Sequence, residues 1–428
     1  MRSRLVLAFS IAAGALAQQE PTGLLRQAQA RVWDSLDRLP RYMCTQTIDR
    51  AFYERDVRDR GTGCDEGPAR RSAHLTTSDR LRLDVGMAAN SEIYAWVGES
   101  RFDERDLLDI VHEGAISSGS FAAFLKTIFR TDDASFSYNG ETTQDGRTLS
   151  EFGFRVPYEK SHYRFGQGRQ RATTGYDGTF LVDAANAELV RLVVRTNQLP
   201  AETGACYASS TLDYARVRLR GADFLLPTVS ILRIFHTDGS EAENHTVFSN
   251  CHEFLGESTI KFDAPPDAPG AEPRHGAGPQ AVSIPPGIPF RVALTQAIDT
   301  ATAASGDPLK AKLIAPIRDG SKVLVPTGAA VGGRIVRLRQ FHGKESVLSL
   351  DVRLETVEVG GVSIRLTAMP DSGHSFQKPG SGALQRRVEL GTLRGLEDRS
   401  AAFVFRNVHQ PHIIGSGLES KWVTAAPE

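Results

Sequence analysis

The sequence predicts a mainly β protein in two parts: an α+β N-terminal sheet with packed helices, then a small all-β barrel. Three observations carry that expectation. Short alternating apolar and polar runs, separated by turn dipeptides, fill most of the 428 residues. Only two stretches show helical spacing. Residues 264–283, APPDAPGAEPRHGAGPQAVS, are Pro, Ala and Gly with almost no core-forming side chain, which predicts an extended linker. The linker separates 20–263 from 284–428, and a chain of this length is expected to hold two or three domains.

Residues 1–17 precede both parts. Arg2 and Arg4 form a basic start, Leu5–Leu16 is an apolar run too short to span a bilayer, and Ala15-Leu16-Ala17 is a small-x-small cleavage signal. This predicts a signal peptide, an exported chain of the periplasm or exterior, and no transmembrane segment in the mature protein. An exported chain favours disulfides, so Cys44, Cys64, Cys206 and Cys251 are expected to form two. Four cysteines allow three connectivities. Cys44–Cys64 with Cys206–Cys251 is the favoured one, because each pair closes a local loop.

The N-terminal part opens with a helix carrying Leu24, Leu25, Ala28, Val32, Leu36 and Leu39 at helical spacing, stopped by Pro40. A second helical region covers about 104–129, broken near Gly114 and the SSGS run. Nearly everything after it alternates. Strands are expected around 136–138, 152–156, 163–165, 179–183, 187–196, 207–219, 224–236 and 243–251. Asn139-Gly140 and Asp145-Gly146 read as hairpin turns.

The C-terminal part is nearly all strand. Leu348, Leu350, Val352 and Leu354 face one way, and Ser349, Asp351, Arg353 and Glu355 the other, which is period two with one buried face. Ile364, Leu366 and Ala368 follow a Gly360-Gly361 turn. Residues 370–399 read as an inserted loop. One phrase occurs twice, IPPGIPFRVAL at 284–294 and VPTGAAVGGRIV at 325–336. Each Pro belongs at a strand entrance, and Gly287 and Gly328 supply the positive φ of a tight turn.

Charge excludes some partners. With 50 basic and 51 acidic residues and a net charge of −1, nothing points to a nucleic acid. The sequence carries no P-loop, GxSxG, HExxH or GxGxxG signature. Two SxxK matches, Ser258–Lys261 and Ser375–Lys378, lack their companion motifs. His409 with His412, and His236 with His245 and His252, lack the further ligands that a zinc site needs. Asp103-Glu104 and Asp132-Asp133 are ordinary capping or loop carboxylates rather than a glycosidase pair. The sequence therefore predicts no enzyme, no catalytic residue, no metal and no cofactor. A hydrolase with a convergent site is the less favoured alternative.

Two residue sets remain as binding candidates. Phe136, Tyr138, Phe152, Phe154, Tyr163 and Phe165 fall on three consecutive strands and would stack on one face. They either pack as core, the commoner use of such residues, or line an apolar pocket. Arg216, Arg218 and Arg220 alternate along one strand as a basic stripe. A solvated face paired with nearby acids is the favoured reading there, and an anionic headgroup or partner the other.

The order of elements resembles a known family. A signal peptide, a first helix, Tyr42-Met-Cys-Thr-Gln-Thr-Ile48 and a long meander interrupted by helices look like the periplasmic lipoprotein-carrier half-barrel of the LolA/LolB/RseB type. That resemblance covers about 20–263 and implies a half-barrel with a helical lid and an apolar concave face. The ligand would be a lipid, a lipoprotein or an envelope protein. The stretch Pro285–Leu294, then Ser305-Gly306-Asp307, then Val325–Gly333 is similar to the TrbI-type β-barrel of conjugation and type IV secretion channel proteins, over about 284–368. It implies an envelope interaction module, so the alternative role is a structural component of an outer-membrane or secretion-type assembly.

Overall fold

The structure is a computed structural model. It describes residues 21–55, 64, 73–88, 91–99, 102, 107–111, 113–119, 122–130, 133–166, 171–196, 199–253, 284–371, 399–408 and 411–426. The expected signal peptide, the linker and most of the 370–399 insertion lie outside these residues. So do Asp103, Glu104, Asp132, His409 and both SxxK serines. Among the described residues the protein is mostly β, built on a large antiparallel sheet, and no helix is long and apolar enough to cross a membrane.

Helix α1 (Pro21–Arg38) starts on a proline, whose fixed φ suits a first helical turn. Leu24, Ala28 and Val32 recur every four residues and are its buried stripe. Trp33 adds a tie, its indole N–H donating to the Phe129 carbonyl at 2.8 Å. Among the described residues the second helical region holds a short helix α2 (Leu107–Ile110) and a turn α3 (Ala123–Leu125) that runs on as a π-helical turn over Lys126–Arg130. Between them Gly114 and Gly119 take φ of 81° and 89°, which no helix tolerates.

The N-terminal strands are β1 (Tyr42–Arg55), β2 (Ala73–Ala88), β3 (Ser91–Trp96), β4 (Ser135–Gln144), β5 (Arg147–Val156), β6 (Arg164–Phe165), β7 (Ala172–Thr173), β8 (Tyr176–Asp183), β9 (Leu189–Thr196), β10 (Ala205–Leu219), β11 (Ala222–His236) and β12 (Glu241–Glu253). Their antiparallel pairings run β4–β5–β8–β9–β10–β11–β12–β1–β2–β3. The first strand thus lies between the second and the last of this part.

Two local expectations need correction. Asp145-Gly146 is a hairpin turn with φ of 51° and 75°, but Asn139-Gly140 is not. It lies inside β4, where the register with β5 shifts between Tyr138 and Gly140 as a bulge. Tyr163 and Phe165 also leave the expected stack. Pro157 and a 3₁₀ turn at Tyr158–Lys160 turn the chain away, and β6 pairs only with β7 as a separate two-stranded flap. The strand beside β5 is β8, which brings Phe180 opposite Phe152.

The C-terminal strands are β13 (Pro289–Leu294), β14 (Ile298–Asp299), β15 (Pro308–Leu313), β16 (Ile317–Asp319), β17 (Lys322–Val325), β18 (Ala330–Phe341), β19 (Val347–Val359), β20 (Val362–Arg365), β21 (Ala368–Pro370), β22 (Ala401–Arg406), β23 (Ile413–Ile414) and β24 (Glu419–Thr424). The pairings run β22–β19–β18–β15–β13–β24–β21, with β20 on the far end of β19. Leu348, Leu350, Val352, Phe403 and Trp422 form their core. Gly287 and Gly328 take φ of 89° and 83°, the turn geometry that the repeated phrase needs.

The second part completes an edge of the first. On the side of β2 away from β1, β3 pairs only with residues 83–88. The rest would be an open row of donors and acceptors. Ser305 takes the next stretch: its N–H donates to the Arg80 carbonyl and the Arg82 N–H donates back to it, both at 2.8 Å. Then β18 pairs Arg339, Gln340 and Phe341 with Asp79, Ser78 and Thr77. The His342 N–H reaches the Thr76 carbonyl at 2.7 Å.

This junction explains another difference. Ser349 and Asp351, expected to face solvent, are buried. Asp351 lies 3.1 Å from Arg337, which also reaches Glu113. Burial pushes the Asp351 carboxyl above its usual range, against the pull of Arg337.

The disulfides pair Cys44 with Cys251 and Cys64 with Cys206, not the favoured local pairs. The reason is the sheet order. Because β1 lies beside β12, Cys44 sits opposite the end of β12, where Cys251 is, and Cys64 instead meets Cys206 at the start of β10.

Candidate functional site

A cavity of about 500 Å³ opens among the flap, the 113–119 segment, α3 and the inner face of the sheet. Its floor is apolar. Leu232, Ile234 and Ala242 project from β11 and β12, and Phe52 from β1. Alternation sets this: each lies two residues from the next inward position of its strand. Leu107 and Leu108 contribute from α2.

One end is aromatic. Phe124 of α3 lies 5.4 Å from the Tyr163 ring and 6.0 Å from the Tyr176 ring, and the two tyrosines are 5.7 Å apart. Burial pushes the phenols of both Tyr163 and Tyr176 up to about 12. Both rings pack against the core cluster that holds Phe124 and Phe154.

One wall is the 113–119 segment. The Arg50 guanidinium donates to the Glu113 carbonyl at 2.6 Å, and the Asn244 amide to the Ala115 carbonyl at 2.8 Å. The Gly119 N–H donates to Glu92 at 2.6 Å. Gly114 has no room for a side chain: a Cβ would meet Arg50 at 2.7 Å and Phe52 at 2.9 Å. Irregular backbone is thus fixed at one end by the buried Arg50 and Asn244 and at the other by the half-buried Glu92.

The opposite wall is the β6–β7 flap. Its base is tied by Ser161, whose hydroxyl donates to the Thr174 carbonyl at 2.6 Å, while the Thr174 N–H donates to the Tyr163 carbonyl at 3.1 Å. The flap brings His162, Arg164, Phe165 and Arg171 to the mouth.

The structure divides the aromatic candidates. Tyr163 and Phe165 line the cavity. Phe152 and Phe154 are buried in core, with Phe136 packed on them and Phe152 stacked at 5.4 Å on Phe180. Tyr138 is 44% exposed on β4. The arginine stripe is matched by carboxylates: Arg216 with Glu188 at 2.7 Å, Arg218 with Asp223 at 2.6 Å, and Arg220 with Glu253 at 3.2 Å. Among the described residues no group of three or more His, Cys, Asp or Glu could hold a metal.

Sequence reasoning missed most of the cavity. Leu232 and Ile234 had a signal, since they alternate within an expected strand. The 113–119 wall and the cationic flap had none, because neither has periodicity.

No known protein family matches this chain, and no curated protein matches it. Three solved structures are similar over 55% of it. One is an outer membrane lipoprotein-sorting protein domain assignment from Vibrio parahaemolyticus, 11% identical, 94% of that chain covered, TM-score 0.28. Another is a DUF1329 family protein from Desulfovibrio piger, 9% identical, 94% covered, TM-score 0.28. The third is the Mycobacterium tuberculosis lipoprotein LppX, 8% identical, 98% covered, TM-score 0.20.

Proposed function

We propose that this chain is a non-enzymatic, exported envelope protein whose N-terminal part is a half-barrel that holds an apolar ligand, a lipid or the lipid group of a lipoprotein. The cavity carries this proposal: about 500 Å³, floored by Leu232, Ile234 and Phe52 and closed at one end by three aromatic rings. That size falls within the ~300–1,000 Å³ of pockets that enclose one small ligand. The two disulfides support an oxidising compartment, the periplasm or the exterior.

The test is native mass spectrometry of protein purified from its own envelope, with organic extraction of whatever co-purifies. An acyl-chain species is expected, and it should be lost when Ala242→Trp fills the cavity floor. An apo mass in the parent protein, together with no uptake of added lipid, would overturn the proposal.

A second role, as a component of an envelope assembly, is favoured by exposed apolar residues on the C-terminal part, Ile413 at 65% and Val362 at 54%. The TrbI-type resemblance belongs to that role. Cross-linking in the native envelope separates the two: a stoichiometric protein partner with an empty cavity would favour assembly.

A further inference from the structure

The wall of the cavity is tied only toward its ends. The Glu113 and Ala115 carbonyls accept from Arg50 and Asn244, and the Gly119 N–H donates to Glu92. Between these ties the chain bends at Gly114 and then runs over 115–118 with no bend, turn or helix. Among the described residues, the backbone N–H groups of Ala115, Ile116, Ser117 and Ser118 donate to no protein acceptor, and the carbonyls of the last three accept from no protein donor. All four residues line the cavity, and the first three are half-buried.

Backbone groups that leave water are nearly always paired. Consecutive residues with open donors and acceptors behave as a strand edge open to pairing. The side chains fit that description. Ala115 packs on the cluster of Ala205, Leu232 and Ile234, and Ile116 on the cluster of Leu107 and Leu226. Successive side chains that serve different clusters are what an extended strand provides. Across the cavity β6 pairs with β7 alone, so among the described residues the flap too has an unpaired edge.

The floor differs. Leu232 and Ile234 lie inside β11, which is paired on both sides, and Ala242 lies in β12 between β11 and β1. The floor therefore offers side chains and the wall offers backbone. A lipid chain uses the floor and leaves the wall to water. An extended peptide uses both: it carries a donor and an acceptor on each residue at strand spacing, and every second side chain points to the floor.

We infer that the cavity takes a second class of ligand besides a lipid: a short extended segment of a partner polypeptide, added as a strand along 115–118, with apolar side chains at alternate positions against Leu232, Ile234 and Phe124. The inference rests on the apolar cavity proposed above and adds backbone recognition to it.

The test measures binding to the full mature chain by calorimetry. The probes are the peptide acetyl-SLTLTLS-amide, the same peptide N-methylated on its three leucines, the same peptide N-methylated on its two threonines, and dodecanol. Alternate N–H groups of an extended chain point to the same edge, so each methylated form closes one edge and keeps every side chain. One form is expected to bind at least tenfold more weakly than the parent peptide, the loss of about two hydrogen bonds, and the other within threefold of it. Amide hydrogen exchange at 115–118 should be fast in the protein alone, slow with the peptide and unchanged with dodecanol. Ser117→Pro and Ser118→Pro each remove one wall N–H that has no acceptor in the protein. One of the two should weaken the parent peptide at least threefold, and both should keep dodecanol affinity, which also shows that the variants are folded.

Equal affinity of the two methylated forms, or no exchange protection at 115–118, overturns strand addition. Binding of dodecanol without the peptide overturns it too and leaves the apolar cavity standing. Binding of neither overturns the cavity proposal itself.

Discussion

Arg50 and Asp79 face each other across β1 and β2 and share two hydrogen bonds of 2.7 Å, with each side chain 2% exposed. Asp79 also accepts from Arg339 of β18, at 3.1 and 3.2 Å. Arg339 and Arg337 both reach Glu113, next to the wall of the cavity. One carboxylate therefore ties the inner sheet, the C-terminal part and the 113–119 segment together.

Replacing Asp79 with Asn leaves two guanidinium groups beside a neutral amide. Removing one partner of a buried pair costs about 3–5 kcal/mol. The urea midpoint should fall accordingly, with little change in slope. A loss below about 1 kcal/mol would mean that water enters the junction and screens it.

Gly306 is the tightest point of that junction. An added Cβ would lie 2.3 Å from the Arg82 carbonyl oxygen and 2.5 Å from the Trp96 ring, at a φ of 101°. Gly306→Ala is expected to lift the Ser305 segment off β2 and expose its edge. Limited proteolysis should then cut near 300–307 well before the parent protein is cut. Equal protection of both proteins would count against this edge contact.

The junction also carries a pH dependence. The His342 ring lies 2.9 Å from the Ser78 hydroxyl, and burial holds its pKa below the ordinary 6.5. The unfolded chain then binds more protons between the folded value and 6.5. Stability present above 6.5 declines as pH falls through that window. The Tm of the parent protein should drop relative to His342→Gln between pH 7.5 and pH 5; parallel curves would remove His342 from the account.

Peptide mapping without reduction should recover Cys44 with Cys251 and Cys64 with Cys206. The loops they close span 207 and 142 residues. In the chain-entropy picture, loops this long contribute about 5 kcal/mol each. The double variant Cys44→Ser, Cys251→Ser should lose a large part of that in denaturant. Recovery of Cys44 with Cys64 would refute the strand order around β1.

The long strands after residue 176 were legible because apolar residues recur at alternate positions, as in Leu212 and Tyr214 of β10 and Leu232 and Ile234 of β11, even though Ser210 and Ser230 are buried on the same strands. Strands β1 to β3 were harder. Leu81, Leu83 and Val85 do alternate with Arg80, Arg82 and Asp84, a pattern that marks β2. The charged side is only partly open to water: Arg82 pairs with Asp307 of the C-terminal part, and Arg80 with Asp49 of β1. The same effect hid the burial of Ser349 and Asp351, since polarity there answers to a distant partner. In the site, Tyr163 and Phe165 were found by their aromaticity. The contribution of Arg164 and Arg171 was not, because a flap of two-residue strands leaves no period to read.

The position of β1 sets a timetable for synthesis. A chain made from its N-terminus presents Cys44 and Cys64 long before Cys206 and Cys251, so the first pair that oxygen or an oxidase can join is the wrong one. The first strand has to stay uncommitted until the residues around 241–253 arrive beside it. Oxidation in order of appearance would trap a misfolded chain, and correct maturation calls either for delayed oxidation or for thiol–disulfide exchange that reopens Cys44–Cys64. Yield during production should therefore depend on disulfide isomerisation more than on the rate of oxidation.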